Sequence, residues 1–183
     1  FYANDDFAKN KIISFVKPKV GYPYMSITWA GMIGVSSGMN LEGLTVTINA
    51  GKSSIPFKAK TPISLVALEI LQHASTIEEA IAIAKTKKVF VSESIMVGSS
   101  KDHNVALIEI SPKNFGVYQV KNQPYLACTN HFQSEEYNND NRNNKQKEES
   151  HSVYRFQKLE EHLAQDKQLN PTEMVKLLRD TNG

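Results

Sequence analysis

Strand-like and helix-like segments come in blocks along this chain, and that order most narrows what it can fold into. Four short runs rich in β-branched and aromatic residues come first: KIISFV (11–16), YMSITW (24–29), MIGVSS (32–37) and LTVTINA (44–50). Turn residues Asn40 and Gly43 in GMNLEG (38–43) join the last two as a hairpin. Leu44, Val46 and Ile48 then share one face of the closing strand, and Thr45, Thr47 and Asn49 the other. Two helical patterns follow. Thr61 is placed to cap the first, Pro62 suits its first turn, and Ile63, Val66, Ala67, Ile70, Leu71 and Ala74 recur at helical spacing. Thr76 and Glu79 spell a capping box for the second, with Ile77, Ala80, Ile81 and Ala84 on its apolar stripe and Lys85, Lys87 and Lys88 at its C-terminal end. Strand patterns resume at 89–98, 105–110, 115–120 and 125–129, linked too briefly for crossovers, so they read as an antiparallel meander. Two last helices are expected from about Ser152 to Ala164 and after Asn170-Pro171-Thr172-Glu173. Segregated blocks argue against a parallel βαβ fold and for an α+β layered one: two antiparallel sheets with helical pairs on their outer faces.

The remaining bulk properties mostly exclude. A chain of 183 residues, 40% apolar and 22% charged, is expected to form one domain with a real core. No stretch approaches the ~20 apolar residues of a membrane span. A formal charge of +2, spread along the chain, gives no reason to invoke nucleic acid. One cysteine rules out an internal disulfide and a multi-cysteine metal site. The asparagine-rich segment 133–150 is nearly free of apolar residues and reads as a mobile polar loop. Because the first residue is Phe1, the sequence reads as an excerpt, a single partial domain over 1–183.

Chemistry-bearing residues are few. Cys128 and His131 invite a nucleophile–base reading, but strand alternation would point them to opposite faces. A lone cysteine in an apolar run is ordinarily a small buried hydrophobe. The five histidines show no metal-ligand spacing, and GMIGVSSG (31–38) lacks the Lys-Ser/Thr of a phosphate loop, so neither metal nor cofactor is implied. Asn49 and Asn130 each end a strand pattern, where asparagine commonly serves a turn. Arg155 stands in the first turn of its helix, where the dipole disfavours cations, with no acid three or four residues away. Its partner is then elsewhere in the fold, or it is simply exposed.

Four blocks in order, GMNLEGLTVTINA (38–50), FVSESIMVG (90–98), CTNHFQS (128–134) and SVYRFQKL (152–159), resemble the acyl-CoA:6-aminopenicillanic-acid acyltransferase-like proteins. These are N-terminal-nucleophile (Ntn) hydrolases, related to the choloylglycine hydrolases: bile salt hydrolase and penicillin V acylase. The resemblance covers nearly the whole chain. It implies an αββα sandwich and a hydrolase or acyltransferase acting on linear, non-peptide C–N bonds through an acyl-enzyme. The nucleophile would be an N-terminal cysteine, often freed by self-cleavage, whose own α-amine is the base; with a pKa near ~8 that amine is partly free at neutral pH. By the same resemblance Asn130 matches the asparagine that stabilises the oxyanion, Asn49 a second asparagine lining the site, and Arg155 an arginine near the nucleophile. The cysteine and its Arg-Asn-Phe-Asp-like stretch would lie upstream of Phe1-Tyr2, so these residues by themselves are expected to be inactive. A non-catalytic scaffold that kept the sandwich is the alternative. The partner is expected to be a small acyl-amide; homo-oligomerisation is left open, and the Asn, Lys and Ile usage points weakly to a bacterial source, in the cytoplasm or the cell envelope.

Overall fold

Seven strands, all antiparallel, form a single sheet in chain order in the computed structural model, which describes residues 11–53, 60–120, 123–165 and 169–180. They are β1 (Lys11–Val16), β2 (Tyr24–Trp29), β3 (Ser37–Asn40), β4 (Leu44–Ala50), β5 (Glu93–Ser99), β6 (Asn104–Ile110) and β7 (Phe115–Tyr118). The two strand blocks expected as separate sheets are joined: β4 pairs with β5 from Leu44↔Ser99 to Ala50↔Glu93. The α+β class stands, with a many-stranded antiparallel sheet flanked by helices, consistent with an αββα sandwich. Phe1, Tyr2 and the last three residues lie outside the described residues.

Two expected strands are corrected. MIGVSS (32–37) contributes only its last residue, because Gly34 takes φ +95°, which breaks an extended run. A Cβ there would collide with the carbonyl of Ser64. The loop instead docks on the following helix: Val35 N donates to Ser64 O at 3.1 Å and Ser64 Oγ to Ile33 O at 2.7 Å. YLACT (125–129) pairs with no strand among the described residues. Side chains meet part of the backbone demand around it: Gln133 Nε2 donates to Ala127 O, and Ser152 Oγ and Asn143 Oδ1 accept from Asn130 N and Phe132 N.

Helices α1 (Ile63–His73) and α2 (Ile77–Lys85) cover one face of the sheet. Val66, Ala67, Ile70, Leu71, Ala80 and Ala84 interlock with Leu44, Val46, Ile95, Val97, Ala106 and Ile108, all essentially without solvent contact. The Thr76–Glu79 capping box forms in full. Thr61, expected as the cap of α1, sits one residue too early; Pro62 holds the cap position and Thr61 bridges Val89 in parallel. The hairpin turn is fastened by Asn40, whose Oδ1 accepts from Glu42 N and Leu44 N while its Nδ2 donates to Leu71 O and Ala74 O.

The opposite face carries the site. Asn49, Ser94 and Glu109 stand in one cross-strand row on it. Three helices belong to this side of the chain: α3 (Asn141–Glu149), α4 (Ser152–Leu163) and α5 (Pro171–Leu178). The segment 133–150, expected as a mobile loop, therefore contains a 3-10 turn (Glu135–Tyr137) and α3. Its order comes from polar side chains turned inward: Asn143 is fully buried, and Asp140 caps the helix through Arg142 N and Asn143 N. Towards β1–β3 the same face shows Ile13 and Phe15, 61% and 80% exposed, to solvent.

Candidate active site

Asn49 is the penultimate residue of β4, Asn130 lies in the irregular stretch after β7, and Arg155 sits one turn into α4. All three line one cavity of about 730 Å³, together with Cys128, Tyr154, Lys158 and, at its far wall, Leu177 and Leu178 of α5. Eighty residues separate Asn130 from Ala50, yet Asn130 Nδ2 donates to Ala50 O at 3.0 Å. Gly51 makes this approach available, because a Cβ there would lie 2.5 Å from the ring of Phe132.

Every polar atom of Asn130 except its carbonyl oxygen has an identified role in fixing it. The backbone N–H donates to Ser152 Oγ at 2.8 Å, and Arg155 Nη2 donates to Oδ1 at 2.7 Å. Ala50 O takes one of the two Nδ2 hydrogens, so the amide plane is set and its second hydrogen is available to a ligand. The partner sought for Arg155 is thus an amide oxygen.

Cys128 and His131 do not form a pair. The His131 Nδ1 faces Ser152 Oγ at 2.9 Å and Thr129 Oγ1 at 3.2 Å, and its ring meets Phe156 edge-on. Burial, followed by the charges of Lys147 and Arg155, holds the imidazole down at about 4, so it is neutral near pH 7. Burial, aided by the charge of Glu109, pushes the Cys128 thiol up to about 12, where no thiolate forms at neutral pH. Its Sγ donates to Thr129 O at 3.4 Å.

Three residues that frame the site went unread in the sequence. Glu109 is fully buried in β6; burial raises its carboxyl although Gln133 N, Ser134 N and Ser134 Oγ all donate to it. Asn143 clasps the backbone of Phe132, accepting from its N–H at 2.8 Å and donating to its carbonyl at 3.2 Å. Ser152 opens α4. An acid inside the apolar run VALIEI was the one available signal, since a buried carboxylate needs donors. Among the described residues no cluster of His, Cys, Asp or Glu could hold a metal ion, and no helix is long and apolar enough to cross a membrane.

An antiparallel sheet flanked by helices is consistent with the Ntn-hydrolase class, and here strand-end and loop amides line one cavity. Within that class, the chain belongs to the acyl-coenzyme A:6-aminopenicillanic acid acyl-transferase family, whose model matches residues 4–183. The fold is similar to that of a Caenorhabditis elegans N-acylethanolamine-hydrolyzing acid amidase ortholog, at 21% identity and TM-score 0.69 over 96% of this chain and 76% of that one. It is similar to penicillin V acylase from Agrobacterium tumefaciens, at 18% identity and TM-score 0.51 over 89% of this chain and 55% of the other. A variant of the conjugated bile acid hydrolase from Clostridium perfringens shares 16% identity and TM-score 0.52 over 70% of this chain and 48% of its own. The chain thus spans about three quarters of the nematode protein and about half of each bacterial one. No curated protein sequence matches it.

Proposed function

We propose that this chain supplies the oxyanion-stabilising side of a cysteine-type amidohydrolase or acyltransferase acting on linear amide bonds. The observation that carries the reading is the three-way fixing of the Asn130 amide by Arg155, Ala50 and Ser152. Its backbone N–H is spent on Ser152, so the catalytic donor is the free Nδ2 hydrogen. Attack of a thiolate on the substrate carbonyl moves charge onto its oxygen, and a donor already aimed there needs no reorganisation as that charge grows. Asn49, on the neighbouring strand end, is the second amide at the site. Arg155 contributes a positive charge next to the developing oxyanion and keeps the Asn130 oxygen turned away from it. The tetrahedral intermediate collapses with loss of the amine, and water or another amine resolves the acyl-enzyme.

Cys128 is not the nucleophile in this reading; a cysteine N-terminal to Phe1 is, with its α-amine as the base. Substrates are small acyl-amides that fit between α4 and the leucines of α5.

The test is turnover by the full-length protein. Asn130→Ala should lower kcat by about 10²–10³, or ~3–4 kcal/mol, with little change in KM, since the donor acts on charge present only in the transition state. Cys128→Ala should leave kcat within a few-fold. The reverse pattern would make Cys128 the nucleophile and remove Asn130 from the chemistry.

A further inference from the structure

We infer that Ser152 is a positioning residue, holding the Asn130 amide in its working orientation; this rests on the reading of Asn130 above. Among the described residues the stretch that carries Asn130 pairs with no strand, and side chains hold its backbone there. Ser152 is fully buried at the first position of α4 and does not line the cavity, so a substrate there does not touch it. Its hydroxyl meets three consecutive residues: Asn130 N at 2.8 Å, Thr129 Oγ1 at 2.9 Å and His131 Nδ1 at 2.9 Å.

Proton counting shows why these contacts are compatible. A hydroxyl has one hydrogen and two lone pairs. The Thr129 hydroxyl donates to Ser152 O at 2.9 Å, so its hydrogen is committed. With the His131 hydrogen on Nδ1, the ring donates to Ser152 Oγ and Ser152 donates to Thr129 Oγ1, so every contact carries a hydrogen; with it on Nε2, Ser152 donates to Nδ1 and the Thr129–Ser152 contact carries none. Either tautomer leaves a lone pair on Ser152 Oγ for the Asn130 N–H. Three residues further along, one helical turn away, Arg155 takes the Asn130 side-chain oxygen. A single turn of α4 therefore grips Asn130 by its main chain and by its side chain. Losing the main-chain grip frees the amide to tilt, and catalysis is steeply sensitive to such misplacement.

The experiment combines kinetics of the full-length protein with hydrogen exchange at the Asn130 backbone amide. Ser152→Ala should speed that exchange and lower kcat about 10-fold or more at unchanged KM. The double variant with Asn130→Ala should be no slower than Asn130→Ala alone, because Ser152 acts through Asn130. Ser152→Cys keeps the size with a poorer acceptor, should fall between wild type and Ser152→Ala, and stands in if Ser152→Ala does not fold. Unchanged exchange in Ser152→Ala, or kcat losses that add in the double variant, would overturn the inference. If the wild-type protein turns over no amide, the functional reading fails, while exchange still decides whether Ser152 fixes Asn130.

Discussion

The two faces of the sheet are held by different physics. Against α1 and α2 the contact is aliphatic, Val66, Ile70 and Leu71 on Val46, Ile95 and Ile108. On the site side the irregular stretch from Ala127 to Ser134 is fixed mainly by directed hydrogen bonds that its backbone N–H groups donate to Ser152, Asn143 and Glu109. Aliphatic packing is non-directional and sets where a layer lies; a hydrogen bond sets where one atom points. A core of the first kind stabilises a fold. Placing one amide hydrogen requires the second, and leaves polar groups that become costly when a partner is lost.

Truncation in the aliphatic layer should separate stability from site geometry most sharply. Ile70→Ala is expected to cost ~2–5 kcal/mol in urea unfolding while leaving hydrogen exchange at Asn130 unchanged under native conditions. If exchange there accelerates as well, the faces are not independent.

Next in size is a pH effect with one group in each layer, His131 on the site side and Glu93 in the row of Ala50 and Ile110 on the aliphatic side. His131 has its imidazole lowered from 6.5 to about 4. The unfolded chain binds the extra proton first, so stability is full above pH 6.5 and is lost as pH falls through 4, by up to ~3 kcal/mol. Glu93, buried opposite Ala50, works the other way: burial raises it from 4.5 to about 7, so its contribution is full below pH 4.5 and is lost as pH rises through 7. The two slopes oppose each other between pH 4.5 and 6.5. Relative to the wild type over that range, denaturation midpoints should tilt downward with rising pH in His131→Asn and upward in Glu93→Gln. Parallel curves for all three would show that neither group is buried as described.

The smallest expected change is at Asn143. Replacing it by alanine strands the N–H and carbonyl of Phe132 and should cost ~1–3 kcal/mol. Because Phe132 lies two residues from Asn130, the loss should also appear as faster exchange around residues 130–134, with the α1–α2 core amides unaffected.

What the sequence disclosed follows the same division. The Thr76 capping box, the helix start at Asn170-Pro171 and the apolar stripe of α1 were legible because each is decided within a few residues. Asn49, Asn130 and Arg155 were named from the resemblance of their blocks, and the structure brings them to one cavity. The β4–β5 junction was not legible, since nothing local says that Leu44 will find Ser99. Asn143 was hidden for a related reason: in a run of polar residues its composition argues for solvent, and only the distant backbone of Phe132 explains its burial. MIGVSS misled because its β-branched content outweighed a glycine whose conformation only the docked α1 reveals.

On the proposed function, helix α4 would also act as a lever. The rod that grips Asn130 at its first turn presents Tyr154, Lys158, Leu159 and His162 to the cavity along its length. Whatever fills the cavity pushes on the same rigid body that aims the amide. A ligand that displaces it by ~1 Å would misalign the donor and forfeit on the order of 10² in rate. A ligand that seats it squarely completes the aim. On the proposed function, selectivity and catalytic power would be carried by one mechanical part, and a poor substrate would be penalised through leverage as well as through fit.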